Sequence, residues 1–304
     1  MSECWEVDVV LCLYHGERYL DEFLNSLSLQ ENVRINLIVS DDSPKSEHVD
    51  ILRDFENNFG NLVYLEGPRM GPAANFFFAI QSANAPYVAL ADQDDIWLPN
   101  HLADSIRNIS MHPDVPSLVF SRVIESDNSS LWPPIDSFKL SENLFENYAR
   151  GCTFLMNRRF VEYIPSREPK DCIMHDWWIL LLCASIGKVV FLHEPALIYR
   201  IHRGNFSSPR RRLLIRVLRG LISSRIGNRP VKQVVSVENY TRLEQIPSNG
   251  TLKLLLMAIL HPKENTNVYR QIQFRRNIFE NVSYKILINL ERKRGRFRDV
   301  DFNL

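Results

Sequence analysis

The sequence lacks most of the features that announce a special architecture. Cysteines number only five, at 4, 12, 152, 172 and 183. An odd, scattered set with no CxxC pair excludes a zinc site of that type and fits reduced thiols in a cytosolic chain. No long apolar run is present: WWILLLCASIG (177–187) and LKLLLMAIL (252–260) fall well short of the roughly 20 residues that span a bilayer. The start, MSECWEVDVVLCLYHG, carries no basic n-region, and Asp8 interrupts its apolar stretch, so no signal sequence is expected. Internal repeats and low-complexity tracts are missing too, which excludes solenoids and disordered linkers as the main content.

What the chain does have is an ordinary globular composition, 45% hydrophobic and 24% charged over 304 residues. That length suits one domain plus an appendage. Its formal net charge of zero conceals a split. Residues 207–304 carry 20 Lys and Arg against 7 Asp and Glu, leaving 16 basic and 29 acidic residues in 1–206. Such an imbalance bears on partners rather than on fold.

Hydrophobic patterning in the acidic part alternates between two periods. VDVVLCLY (7–14), INLIVS (35–40), NLVYLEG (61–67) and YVALA (87–91) read as short buried strands. Between them ERYLDEFLNSLSLQ (17–30), a stretch around 46–58 and residues 73–83 read as helices. Asn100 is placed to cap a further helix over 101–111. SLVFSRVI, CTFLMN (152–157) and KVVFL (188–192) are later strands, with an apolar helix over 176–186 and a polar connection over 126–148. Strands alternating with helices predict an α/β fold with a largely parallel sheet covered on both faces. In such sheets ligands sit outside the carboxyl ends of the strands. Two of those ends are acidic: Asp41-Asp42 and Asp92-Gln93-Asp94-Asp95.

The acidic cluster needs a counterweight. Residues two apart in an extended segment face the same way, so Asp92 and Asp94 are expected to converge while Asp95 points elsewhere. Two facing carboxylates share a proton or hold a cation. Hard oxygen donors suit Mg²⁺ or Mn²⁺, and Mg²⁺ binds through one or two carboxylates completed by substrate phosphates. The rival reading is a solvated turn in which Asp94 or Asp95 caps the next helix.

Context favours the cation. In order, the chain carries Leu13-Tyr14-His15-Gly16-Glu17, VSDDS, GPAANF, ALADQDDIWLP, GCTFLMN, HDWW and YRIHRGN. Together these resemble the family 2 glycosyltransferases of GT-A fold, and within them the non-processive, rhamnosyltransferase-like enzymes of bacterial surface polysaccharide synthesis. The resemblance covers residues 7–206. It implies a GT-A catalytic domain over 1–206, and the charge split sets off a basic, mainly helical region over 207–304. It also implies an inverting, metal-dependent transfer of a sugar from a nucleotide-diphosphate donor, dTDP- or UDP-linked, to a glycan or lipid-linked glycan. dTDP-rhamnose is the donor it favours.

Residue by residue, the resemblance assigns Asp94 as the direct metal ligand, with Asp92 near the ribose and the metal and His202 reaching in from the far side. Asp42 would accept from the donor pyrimidine, beside Tyr14. Asp176 of HDWW corresponds to the catalytic base, with capping of the WWILLL helix as its structural alternative. Arg200 or Arg203 would bind phosphate oxygens. Asn75 would sit where helix amides face phosphate, or would cap that helix. Trp97, Gly151, Cys152 and Trp177 would face the acceptor, although large aromatics such as Trp97, Trp177 and Trp178 serve equally well as core. His202 likewise has a structural alternative. The chain departs from many relatives in Leu13-Tyr14-His15 where Thr-Tyr-Asn is usual, in Ser43-Pro44 for Gly-Ser, and in His175 before the base for Glu.

In the basic part, RRRLLIRVLRGLISSRIG (210–227) aligns Leu214, Val217, Leu218, Leu221 and Ile222 on one stripe with arginines largely off it. Such a helix can lie in an anionic membrane surface, which predicts peripheral attachment at the cytoplasmic face of the inner membrane. Packing of the stripe on the acidic half is the alternative. No aromatic–basic motif supports nucleic-acid binding. A nucleotidyltransferase, the competing enzyme class, would show a Gly-rich basic loop after the first strand, where this chain has HGERYL. A non-catalytic scaffold of the same fold is the third reading.

Overall fold

The computed structural model describes residues 4–44, 49–59, 61–127, 129–202 and 228–272. Arg203, the amphipathic stretch 210–227 and the basic runs FRRN (274–277) and ERKRGRFR (291–298) lie outside the described residues.

Strand β1 (Trp5–Leu13) shows why the first apolar run becomes the centre of a sheet. Its residues from Val7 to Leu11 are buried without interruption, as expected for a strand with helices on both faces. Asp8, the charged member of that run, accepts from the Ala85 amide at 2.8 Å and the Asn36 side-chain amide at 2.9 Å. Strands β2 (Val33–Asp41), β3 (Leu62–Glu66) and β4 (Tyr87–Asp92) lie parallel to it in the order β3-β2-β1-β4. The connecting helices are α1 (Glu17–Ser28), α2 (Val49–Phe59) and α3 (Pro72–Ile80).

Beyond β4 the sheet becomes mixed. A two-residue strand β5 (Ile96–Trp97) leads to α4 (His101–Ile109) and β6 (Ser117–Glu125). The connection that follows holds β7 (Leu131–Trp132) and α5 (Leu140–Asn143). CTFLMN is not one strand: Gly151–Thr153 forms a tight 3₁₀ turn, and β8 covers only Leu155–Asn157. β8 runs antiparallel between β4 and β6. After α6 (Arg158–Val161) and α7 (His175–Ile186), β9 (Lys188–Tyr199) outruns the apolar KVVFL segment by seven residues. It pairs parallel with β6 across an irregularity that brings Arg122 opposite Pro195. A proline fits a strand at such a break in the ladder. The sheet order is β3-β2-β1-β4-β8-β6-β9-β5, with β7 on β6.

Two apolar layers result. On one face Leu20, Phe23, Leu52, Phe55, Leu102 and Ile106 bring α1, α2 and α4 onto the sheet. On the other face α3 and α7 contribute Phe76, Phe77, Trp178, Leu180 and Leu181. That layer continues into α8 (Asn228–Leu243) and α9 (Thr251–Leu260), through Val231, Val234, Leu252 and Leu256; α10 (Thr266–Gln271) follows. α7 is apolar all round because it is sandwiched between the sheet and these helices. Polar contacts fix the joint: Trp178 Nε1 donates to Ser236 Oγ at 3.3 Å, Ile173 N to Gln233 Oε1 at 2.7 Å and Asn249 N to the Ser185 carbonyl at 2.7 Å. Residues 228–272 therefore share one core with the sheet. Among the described residues no helix is long and apolar enough to cross a membrane.

Candidate active site at the carboxyl ends of the strands

Neighbouring strands β2, β1 and β4 end side by side, with Cys12 of β1 paired to Ser40 and to Asp92. Their three turns form the floor of the site. After β2, Asp41 holds its own turn, accepting from Ser43 N at 2.8 Å and from the Tyr64 hydroxyl at 2.9 Å. Asp42 is buried and accepts from Arg69 N at 2.8 Å. A Cβ at Gly67 would lie 2.2 Å from Asp42 Oδ1, so the backbone passes there only as glycine. Asn75 is buried beneath this turn: its amide donates to the Ser40 carbonyl at 3.1 Å and its oxygen accepts from Ser40 Oγ at 2.5 Å. The N-cap of α3 is Gly71, so Asn75 neither caps the helix nor turns its side chain outward; it locks α3 to the end of β2.

The acidic turn after β4 corrects one expectation. Asp95 does not point away; it is 1% exposed, and the ligating atoms of Asp92, Asp95 and Cys152 all lie within 4.8 Å of one another. The extended conformation ends at Asp92 and the chain turns at Gln93-Asp94. Alternation lapses in a turn, and residues three apart are brought close instead. Asp94 faces the other way, with Oδ2 2.6 Å from His202 Nε2. Asp95 Oδ1 accepts from Arg200 N at 3.2 Å.

Asp176 comes from the opposite layer. It stands in the first turn of α7, one residue past its start, with Oδ1 accepting from Trp177 N at 2.6 Å. Met174 is the N-cap, so Asp176 is not the capping residue. The Gly151 amide and the Asn147 side chain, like the Trp177 amide, favour its ionised form. Burial nevertheless pushes it up to about 6, and the Arg150 cation opposes that rise. Burial, then the charges of Asp94 and Asp176, push Asp92 up to about 7. Cys12 feels both Asp92 and Asp42, which ties the β2 turn to the same cluster. Asp42, Asp92, Asp94, Asp176 and His202 are thus brought together.

A divalent cation fits this donor set. Burial, then neighbouring acids, raise Asp95 and Cys152 well above their ordinary pKa values, and with Asp92 they form the inner, buried side of the cluster. Asp92 and Asp94 are half-buried, Asp92 within reach of Asp95 and Cys152 and Asp94 turned to the His202 imidazole. The carboxylate oxygens are the hard donors that suit Mg²⁺ or Mn²⁺.

Other expected residues are placed differently. Trp97 is 2% exposed and meets Phe23 and His101 edge-on, while Trp177 is buried with Nε1 donating to the Asn143 carbonyl at 2.8 Å. Of the two readings open for these tryptophans, burial favours core, and neither presents a ring face to an acceptor. Gly151 lies against the start of α7: a Cβ there would be 2.9 Å from His175 Nε2 and 3.1 Å from Asp176 Cβ. The Arg200 guanidinium is engaged by Glu22 at 2.8 Å and by the Tyr19 ring at 4.6 Å, an anchor across the surface rather than an open fork. His175, in place of an acid, is buried and stacked on Phe76 at 4.0 Å, and burial holds it down at about 3, neutral.

Sequence reasoning missed Arg150 and Gln93. Arg150 pairs with Glu125 at 2.9 Å, lies 3.7 Å over the Tyr199 ring, and is the cation opposing the raised pKa of both Asp92 and Asp176. The available signal was a single charge inside the apolar run YARGCTFLM. Gln93, between two assigned acids, reaches back to the turn after β1, and spacing gives no hint of it.

Comparison with known proteins adds to this geometry. Residues 8–169 match the sequence model of the family described as Glycosyl transferase family 2. The chain is 24% identical over 212 residues to the dTDP-rhamnosyl transferase RfbG of Shigella flexneri, covering 64% of this chain and 72% of that one. It is also 24% identical over 208 residues to an uncharacterized protein, Mb1547, of Mycobacterium bovis, spanning 64% of this chain and 59% of that one. Among solved structures, S. aureus TarS 1-349 in complex with UDP-GlcNAc aligns with a TM-score of 0.53 at 14% identity, over 93% of this chain and 79% of that one. The mannosyltransferase PcManGT of Pyrobaculum calidifontis, in complex with GDP-Man and Mn²⁺, aligns with a TM-score of 0.52 at 14% identity, over 95% and 87%. At such identities the likeness establishes the fold, GT-A.

Proposed function

The chain belongs to glycosyl transferase family 2, and from that premise we propose that it transfers a sugar with inversion from a nucleoside-diphosphate donor to a glycan or lipid-linked glycan acceptor. The observation that carries this reading is that Asp92, at the carboxyl end of β4, feels the charges of both Asp94 and Asp176, with the Asp42 turn on the far side of Cys12. Asp42 accepts from the donor base, with Tyr14 beside it. Asp92, Asp94 and His202 hold Mg²⁺ or Mn²⁺, which when bound neutralises charge on a departing diphosphate.

Asp176 supplies the base. Its ionised carboxylate takes the proton of an acceptor hydroxyl as that oxygen attacks the anomeric carbon. The bond from that carbon to the diphosphate oxygen breaks, and its electron pair leaves with the diphosphate. One displacement inverts the carbon, and no covalent intermediate forms. Gly151 and Cys152 border the acceptor side, and a basic side chain such as Arg203 binds the phosphates.

dTDP-rhamnose is the donor we favour, because a relative named for that donor aligns over 212 residues. The fold relatives carry UDP-GlcNAc and GDP-Man, so the donor base is the feature to test first. Residues 207–227 and 273–304, which flank the packed segment and carry 14 basic against 4 acidic residues, hold the enzyme at an anionic membrane on the cytoplasmic face, at about 1 kcal/mol per basic residue near the surface.

The deciding experiment is a donor screen against lipid-linked acceptors, preceded by thermal shift. Mn²⁺ with dTDP or UDP should raise the melting temperature by mass action. No shift with any nucleoside diphosphate would favour a non-catalytic scaffold.

A further inference from the structure

The turn after β1 holds an unfavourable backbone. His15 sits at φ 50°, in the left-handed region that a non-glycine residue rarely adopts. Nothing within the turn accounts for it; the restraints come from the two neighbouring turns. His15 N donates to Ser43 Oγ at 3.2 Å, from the β2 side. On the β4 side, the Gln93 carboxamide grips Tyr14 twice: Tyr14 N donates to Oε1 and Nε2 donates to the Tyr14 carbonyl, each at 2.9 Å. The fit extends to the next residue but one. A Cβ at Gly16 would lie 2.3 Å from Gln93 Oε1, so the carboxamide occupies the space that Gly16 leaves open.

This places an uncharged side chain between Asp92 and Asp94 and gives it a task that neither acid can perform. A carboxylate only accepts, whereas the clasp needs one acceptor and one donor in a single planar group. Tyr14 itself is 61% exposed, its ring 4.4 Å from that of His15, and it follows Leu13, whose carbonyl accepts from Asp42 N at 2.9 Å. We infer that Gln93 is a positioning residue that pins the Tyr14–Gly16 turn in its strained form, so that the acidic turn and the donor-facing turn are presented as one rigid unit. The inference rests on the reading that a nucleoside diphosphate binds between these turns.

Three single variants and one double variant test it, each titrated calorimetrically with UDP and dTDP in Mn²⁺ buffer and melted without ligand. Gln93→Ala removes both bonds and should weaken binding on the order of tenfold, the net worth of two neutral hydrogen bonds. Gln93→Glu keeps the acceptor and loses the donor, so its affinity should fall between. Gly16→Ala leaves Gln93 in the chain but displaces the flexible end of its side chain, and should reproduce the loss. Combining Gly16→Ala with Gln93→Ala should add little, because the second change acts only through the group already removed. Losses that multiply, or a Gln93→Ala enzyme that binds as tightly as wild type, would overturn the role. So would a lowered melting temperature with unchanged affinity. A wild type that binds neither nucleotide overturns the donor reading and this role together; a wild type that binds alongside an unaffected variant overturns this role alone.

Discussion

His202 Nε2 and Asp94 Oδ2 stand 2.6 Å apart although 108 positions separate them in the chain. The contact ties the residues just after β9 to the acidic turn after β4. If His202 serves the cation site directly or by orienting Asp94, His202→Ala should weaken Mn²⁺ binding roughly ten- to hundredfold, the range for groups that orient metal ligands. Titration of free Mn²⁺ by electron paramagnetic resonance reads this without an assay. Unchanged affinity would leave His202 as a hydrogen-bond partner and no more.

Asp176→Asn preserves size and removes the base. Turnover should fall about 10²- to 10⁴-fold, the usual contribution of general-base catalysis. Nucleoside-diphosphate stabilisation should survive, since the proposal gives this carboxylate to the acceptor hydroxyl and not to the donor. Loss of that stabilisation as well would make the role of Asp176 structural.

The pH profile follows from the same residue. A base works deprotonated, and burial sets Asp176 at about 6, so turnover should drop as pH falls through that value. Arg150→Gln deletes the cation that opposes the rise, and the acid limb should move to higher pH. A limb that stays in place, measured on folded variant, would remove Arg150 from the electrostatics of the base.

Asp92 makes a stability statement. Its folded value is raised from 3.8 to about 7, so its contribution to stability is present in full below about 4 and is lost as pH rises through 7. Asp92→Asn should therefore melt higher than wild type at pH 8 in chelator and show no such gain at pH 4. Equal melting at both pH values would contradict the burial of that charge.

Asn75→Ala should leave Ser40 without its partner and destabilise by about 1–3 kcal/mol, the penalty for orphaning buried polar groups. Denaturant midpoints measure it. Nucleotide affinity should hold, because the amide faces inward; a selective loss of affinity would instead return Asn75 to the phosphates.

Strand positions in the acidic half were legible because burial on both faces writes long β-branched runs: VDVVLCLY, INLIVS and YVALA each overlie β1, β2 and β4 within two residues at either end. The acids at their carboxyl ends followed from the same pattern. Legibility failed where geometry departs from period. Asp95 turns inward because Gln93-Asp94 is a turn, and β9 continues through His193-Glu194-Pro195 because a ladder irregularity tolerates them. Trp97 and Trp177 carry the same letters whether they stack on a sugar or fill a core, and only packing decides between the two. Arg150 and Gln93 act across contacts tens of residues away in sequence, which composition and spacing cannot express.

The continuity of the apolar layer from Trp178 into Val231, Val234 and Leu256 has a practical side for protein engineering. The change in charge near residue 207 invites a joint there, for chimeras or for a minimal catalytic fragment. A cut at that point would strip the outer face of α7 and leave its leucines wet, so such fragments should emerge as inclusion bodies. Grafts that exchange the basic region must carry α8 and α9 across intact.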